Sequence, residues 1–271
     1  MTIKNAIKKA KDELQDSCDS PQFEAELLLA YTLKKDRLYF HINDNKEIET
    51  DEYFELIKRR ANNEPYEYII NSASFYDIDL FVADGVLIPR PETEILIDEV
   101  SKIILKENIN YIVEIGIGSG AISIVLARKF PNLKIVATDI SDKAILIARK
   151  NIKSFGLEDR IKVIKSNLID NIADIPQLIV SNPPYIAKDF LLESNVVDYE
   201  PHTALFGGEI GDELLIKIIN DTKEKSIKYL ACEMGYDQKD SITNHLNKIE
   251  AKSYNFYKDL AGFDRGFLVE I

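Results

Sequence analysis

The stretch VEIGIGSGAIS, Val113 to Ser123, decides how this chain is read. An apolar strand-like run stops at three alternating glycines, Gly116, Gly118 and Gly120, and a helical pattern follows. Glycine lets the backbone turn sharply and lets a ligand approach with no Cβ in the way. The spacing is G-x-G-x-G, with Ile117 and Ser119 between the glycines. It differs from the G-x-G-x-x-G of the dinucleotide fingerprint, and no Gly-Lys-Ser/Thr follows as in a P-loop. A phosphate cradle is therefore disfavoured.

Working outward, the same alternation continues. YIVEI, KIVATD, IKVIK and QLIVSN are short apolar runs bounded by polar residues or glycine. The helical patterns AISIVLARKF and SDKAILIARKNIKSF separate the first three. Strands that alternate with helices predict a mainly parallel sheet covered on both faces. Later come KYLACEM, a helical stretch around residues 241–249, and the runs SYNFYK and FLVEI, which suit an antiparallel hairpin at the sheet edge.

Upstream, LIPRPETEIL leads into a helix expected from about Glu92 to Leu105. SFYDIDLFV, Ser74 to Val82, alternates and reads as a hairpin or a short two-stranded link. The segment before it reads as short helices, with Ser20 and Pro21 offering an N-cap and a first-turn proline. None is long enough to stand alone, so they should pack as a small bundle.

The carboxyl ends of adjacent parallel strands face one crevice, where ligands of such sheets bind. The second strand ends at Asp139, whose carboxylate can accept hydrogen bonds from two ribose hydroxyls. Taken alone, Asp139 would serve equally as a helix N-cap. The third strand ends in KSNLID, where Asn167 can bond an adenine edge and Leu168 can pack on its face. Three successive strand ends with compatible chemistry point to a nucleoside site.

The fourth strand ends in Ser181-Asn182-Pro183-Pro184-Tyr185. Proline fixes φ and removes the N–H, and it pushes the preceding residue toward extended backbone. The loop so made presents carbonyl oxygens and no competing donors. The Asn182 side-chain oxygen and the Pro183 backbone oxygen can both accept from one planar –NH₂, and Tyr185 can stack on its flat face. Such a site suits an amino group conjugated to a π-system, whose nitrogen becomes positive as a methyl group is transferred to it. None of the three histidines, His41, His202 and His245, lies in a strand-end loop of this set.

The bulk numbers narrow the partners. The chain has 271 residues, is 45% hydrophobic and carries a formal net charge of −12. That balance argues against a broad phosphate-binding surface, because duplex binding leans on lysine and arginine. No apolar stretch approaches the roughly 20 residues needed to span a bilayer, and the N-terminus lacks the pattern of a signal peptide. Cys18 and Cys232 belong to no C-x-x-C pair, so neither a disulfide framework nor a zinc site is expected. No membrane partner and a reducing, cytoplasmic setting follow.

G-x-G-x-G, the acid at the second strand end and N-P-P-Y at the fourth together resemble class I methyltransferases that use S-adenosylmethionine. More narrowly, the chain resembles the peptide chain release factor glutamine methyltransferases, over nearly its whole length. IPRPETE (Ile88 to Glu94), EPHTALFGGEIGDEL, EMGYDQ and DLAGFDR are similar to that family's signatures, and EPYEYI to the start of its inter-domain link. The resemblance implies an α/β, doubly wound Rossmann-like domain with a mostly parallel seven-stranded sheet and an antiparallel C-terminal strand. A small helical bundle for substrate recognition would precede it. The implied division is 1–72 helical, 73–86 a hairpin linker and 87–271 the transferase.

The resemblance also implies roles. Gly116, Ile117, Gly118, Ser119 and Gly120 would hold the methionine part of the cofactor, Asp139 its ribose, and Asn167 and Leu168 its adenine, with Asn182 bordering the same site. Asn182, Pro183, Pro184, Tyr185 and Leu87 would form the substrate pocket, with Asn182, Pro183 and Tyr185 as its catalytic part. The partner would be a class I release factor, methylated on the glutamine of its Gly-Gly-Gln loop by a monomeric enzyme, leaving S-adenosylhomocysteine. Glu114 stands where many relatives have Asp, and Asn167 where an acid is common.

Three other readings compete. An N6-adenine DNA methyltransferase uses a similar loop on another π-conjugated –NH₂, but it must extrude a base from a duplex. The acidic balance and the lack of a basic recognition region count against it, and no direct nucleic-acid binding is expected. A ribosomal-protein glutamine methyltransferase shares N-P-P-Y, and PRPETE favours the release factor over it. A nucleoside-binding adaptor would lack transfer altogether.

Overall fold

A computed structural model describes residues 1–271, the side chain of Ser194 excepted. The chain opens with helices α1 (Ile3–Glu13), α2 (Pro21–Leu33), α3 (Arg37–Ile42), α4 (Asp51–Ala61) and α5 (Tyr66–Ile70). Strands β1 (Ala73–Phe75) and β2 (Ile78–Leu80) follow, then α6 (Glu92–Glu107). Next come β3 (Tyr111–Ile115), α7 (Ala121–Lys129), β4 (Lys134–Asp139), α8 (Asp142–Ser154), β5 (Ile161–Lys165) and β6 (Leu178–Ser181). The remainder is β7 (Ile186–Ala187), α9 (Ser194–Val197), a 3₁₀ turn (His202–Ala204), β8 (Phe206–Gly208), α10 (Glu213–Glu224), β9 (Tyr229–Glu233), α11 (Lys239–Lys248), β10 (Ser253–Lys258) and β11 (Asp264–Glu270).

The chain divides into two compact units. One holds Met1–Asn71 with Leu192–Tyr199, the other Ser72–Leu191 with Glu200–Ile271. A single boundary drawn along the chain after residue 72 leaves out the excursion 192–199.

In the first unit, Ile3, Ala6 and Ala10 of α1 pack with Leu28, Leu29, Tyr53 and Ile57, all fully buried. The buried Glu26 is held by Arg37 at 2.5 Å, and Arg60 pairs with Glu24. Thr2 caps α1 and Asp36 caps α3, each accepting from a backbone N–H of the first turn. Ser20 occupies the cap position of α2, but its side chain makes no capping bond. Its ψ of 64° departs from the extended backbone that turns a cap side chain toward the helix.

In the second unit, one seven-stranded sheet runs β10-β11-β9-β6-β3-β4-β5. β3 is parallel to β4 and β6, β4 to β5 and β6 to β9, while β11 is antiparallel to β9 and β10. This is the expected doubly wound sheet with its antiparallel hairpin at one edge. β3 shows why both faces are covered. Ile112 points into one apolar cluster with Leu96, Ile97 and Ile124, while Val113 and Ile115 point into the other with Leu215, Ile218 and Leu230. Successive strand residues face opposite ways, and here each face is buried.

The chain proceeds from β3 outward to β4 and β5, then returns to lay β6 on the other side of β3. Such a reversal opens a crevice at the carboxyl ends of the two central strands. Ile115 and Ser181, the last residues of β3 and β6, are register partners, and the Ser181 hydroxyl donates to the Ile115 carbonyl at 2.8 Å. The glycine loop and the loop from Asn182 therefore start side by side.

Candidate active site

A cavity of about 400 Å³ occupies this crevice. Its wall includes Leu87, Gly116, Ile117, Gly118, Ser119, Asp139, Asn167, Leu168, Asn182, Pro183 and Pro184. Among the expected site residues, Gly120 and Tyr185 are not part of that wall.

The glycine loop is shaped by its own backbone. The N–H groups of Gly116 and Ile117 both donate to the Thr138 carbonyl, at 2.8 and 2.9 Å. Gly116, Gly118 and Gly120 have φ of 75°, 54° and 90°, the left-handed region where a side chain is strained. A Cβ on Gly116 or Gly118 would meet nothing within 4 Å and would project into open space at the cavity wall. Gly120 has a different task. Its N–H closes the turn on the Ile117 carbonyl at 2.8 Å, and it caps α7.

Asp139 fixes this loop from the next strand. Its Oδ2 accepts from the Gly118 N–H at 3.0 Å and its Oδ1 from the Ser141 N–H at 2.9 Å. The N-cap of α8 is Ser141, so Asp139 is not spent on capping. A carboxylate has about four acceptor sites, so lone pairs remain on both oxygens for a diol. Burial pushes its pKa up, opposed by the backbone N–H groups. Asn167 is exposed and donates to Asp170 at 3.1 Å, while Leu168 is buried with φ of 48°. A non-glycine residue held in that region carries backbone strain, and Leu168 lines the cavity.

The loop 182–185 is held from several distant stretches. Asn182 Nδ2 donates to the Thr93 hydroxyl at 2.9 Å, and Thr93 donates to Glu233 Oε2 at 2.7 Å. Tyr185 donates its hydroxyl to Glu233 Oε1 at 3.0 Å. Gln238 Nε2 donates to the Tyr185 carbonyl at 2.8 Å, and its Oε1 accepts from the Gly235 N–H at 2.9 Å. The Tyr185 ring packs against the apolar cluster beneath the sheet. The Tyr185 hydroxyl and part of its ring are thus anchored, a contact in addition to the stacking expected of the ring.

The other signature stretches act on the same loop. A Cβ on Gly207 would lie 2.5 Å from the Pro184 carbonyl oxygen and 2.9 Å from Tyr185 Cα. One on Gly211 would lie 2.6 Å from the Tyr185 carbonyl oxygen. Only glycine allows the two backbones this close. Glu200 accepts from the Ile88 N–H at 3.0 Å and pairs with Arg90, which fixes the entry to α6 and so Thr93.

Thr93, Glu233, Glu200 and Gln238 lie inside stretches whose resemblance is visible in the sequence, yet no local pattern reveals which of their side chains bear on Asn182. Asn151 is a further omission. It accepts from the Phe81 N–H and donates to the carbonyls of Phe81 and Ser119, each within 2.9 Å. The one available signal was an amide at a position where α8 is otherwise apolar on its buried face.

The wall fits a nucleoside carrying a charged amino-acid arm: glycines that leave room for it, a carboxylate with free lone pairs, and an apolar Leu168 at the third strand end.

A family model described as PrmC N-terminal domain matches residues 5–70, and one described as methyltransferase small domain matches residues 91–198. A release factor glutamine methyltransferase of Clostridium botulinum is 39% identical over 92% of this chain and 92% of its own length. One from Clostridium acetobutylicum is 36% identical over 98% of this chain and 97% of its own length. The chain belongs to the release factor glutamine methyltransferase family. In fold it resembles the catalytic domain of human Mettl16, with a TM-score of 0.59 and 20% identity over 70% of this chain and 74% of that one. Membership of a methyltransferase family accounts for the doubly wound sheet. Among the described residues, no helix is long and apolar enough to cross a membrane.

Proposed function

We propose that this protein transfers a methyl group from S-adenosylmethionine to the side-chain amide nitrogen of the glutamine in the Gly-Gly-Gln motif of class I release factors. The observation that carries this reading is the pair of acceptors, Asn182 and Pro183, on the wall of the same cavity as the glycine loop and Asp139. Family membership supplies the substrate class. Residues 116–120 would hold the methionine arm, Asp139 the ribose, and Asn167 with Leu168 the adenine.

When bound, S-adenosylmethionine supplies a methyl group on a positively charged sulfur and departs as S-adenosylhomocysteine. The protein's own residues prepare the acceptor. Asn182 Oδ1 and the Pro183 carbonyl accept both hydrogens of the glutamine –NH₂, which orients the nitrogen. As the N–CH₃ bond forms, positive charge builds on that nitrogen and its N–H groups become stronger donors. Both acceptors are already fixed, so they stabilise this charge more than the ground state. The amide nitrogen then loses one proton to water, leaving N5-methylglutamine. Leu87 and Pro184 line the same pocket. Residues 1–72 serve as the substrate-recognition part, 73–86 as a hairpin linker and 87–271 as the transferase part.

Incubation with labelled S-adenosylmethionine tests this. Label is expected in a release factor and not in its loop Gln→Ala variant or in duplex DNA. Label in DNA alone would overturn the reading, and cofactor binding without any transfer would favour an adaptor.

A further inference from the structure

We propose that Thr93 and Glu233 are positioning residues that set which way the Asn182 amide faces, and so make it an acceptor for the target –NH₂. This inference rests on the reading of Asn182 given above. An asparagine side chain has nearly the same shape after a half-turn about its last bond, but the turn exchanges an acceptor for a donor. With Nδ2 toward the cavity, two –NH₂ groups would face each other and the target would lose a partner.

Asn182 Nδ2 lies 2.9 Å from Thr93 Oγ. A hydroxyl both donates and accepts, so Thr93 alone would tolerate either orientation. Glu233 removes that freedom. Its carboxylate, when ionised, only accepts, and Thr93 Oγ lies 2.7 Å from Oε2. The threonine proton is therefore committed to Glu233, and only lone pairs face Asn182. Just the orientation with Nδ2 toward Thr93 satisfies them. Tyr185 donates to the other carboxylate oxygen at 3.0 Å, so Glu233 cannot turn away. Thr93 is 4% exposed and Glu233 1%, so the bond between them is shielded from water.

The arrangement is sensitive to protonation. Around Glu233 stand Thr93 and Glu92 of α6, Tyr185, Tyr257 of β10 and Arg265 of β11. Burial, helped by Glu92, pushes the Glu233 pKa up to about 7, against the hydroxyls of Thr93 and Tyr185 and the charge of Arg265. A protonated carboxyl donates as well as accepts. It would free the Thr93 hydroxyl to turn its proton toward Asn182 and admit the reversed amide. Transfer should therefore fall as pH drops through about 7.

The test uses the whole 271-residue chain and has two readouts. With a release factor and labelled S-adenosylmethionine, Thr93→Val should lower kcat about 100-fold, as for a small misplacement of a reacting group. KM for the cofactor should not move, and Thr93→Ser should restore most of the rate. Glu233→Gln should lower kcat and flatten the acid limb of its pH profile. In parallel, the Asn182 side-chain –NH₂ is followed by nitrogen-15 NMR without substrate, assigned by its loss in Asn182→Asp. In the wild type this signal should titrate with a midpoint near 7, and Glu233→Gln should abolish the titration. A Thr93→Val kcat within about twofold of wild type, or a signal that ignores both substitutions, would overturn the proposal. If the wild type labels no release factor, the functional reading fails, and the NMR arm still decides the orientation of Asn182. Should Thr93→Val unfold, the serine variant and the titration keep the test decisive.

Discussion

The two loops that frame the cavity are built on different principles. Gly118 and its carboxylate partner Asp139 are 21 residues apart, and the rest of that loop bonds mainly to itself and to the next strand. The loop 182–185 depends on Thr93, which is 89 residues from Asn182, and on Glu233, which is 140 residues from Thr93. One loop is a local device. The other is assembled from four stretches of chain and exists only once the sheet has closed. The glycine loop should therefore fail one contact at a time, while the loop 182–185 should fail as a network.

The sharpest break would come from Asn182→Ala. Transfer should fall about 10²–10³-fold, as when one preorganised polar partner of a transition state is removed. Cofactor affinity by calorimetry should stay within about threefold, and a large loss there would put Asn182 on the wrong ligand. Asp139→Ala should do the reverse. It removes bonds to a charged group, so cofactor affinity should drop about 10–100-fold, while kcat at saturating cofactor changes little.

Gly207→Ala comes next. Its Cβ would collide with the loop backbone at Pro184, and such overpacking costs about 1–3 kcal/mol. Denaturant unfolding should show the loss, and kcat should fall with it, because the loop that moves carries Asn182. The smallest effect concerns Glu114 behind the glycine loop. Burial pushes its pKa from 4.5 to about 8, partly opposed by a hydrogen bond from Ser123. The folded state thus holds this proton more tightly than the unfolded chain. The resulting stability is complete below the unfolded value and is lost as pH rises through about 8. Thermal unfolding between about pH 6 and about pH 9 should show a steeper decline for the wild type than for Glu114→Gln.

The same contrast explains what could be read from the chain. The glycine loop, Asp139 and the strands around them follow local rules of period and spacing, and the structure carries them at the expected positions. The hairpin 73–80 and the edge pair β10–β11 were legible for the same reason. Helix α3 is too short to declare a period, and α10 starts directly after the glycine-rich turn that obscures its boundary. The pair β7–β8 joins Ile186 to Phe206 and depends on glycines whose necessity is visible only against the opposing backbone. An aromatic ring beside amides suggests stacking for Tyr185, whereas the carboxylate that holds its hydroxyl is announced by no nearby sequence.

The two prolines have a consequence for anyone wishing to watch this site move. Pro183 and Pro184 carry no amide hydrogen, so backbone exchange measurements pass over the middle of the loop 182–185 in silence. Ile186 breaks that silence: its amide is tied to the Leu205 carbonyl at 3.0 Å across the β7–β8 pair. Its deuterium uptake reports whether the loop and the strand behind it stay joined, and a partner arriving at the pocket should slow it.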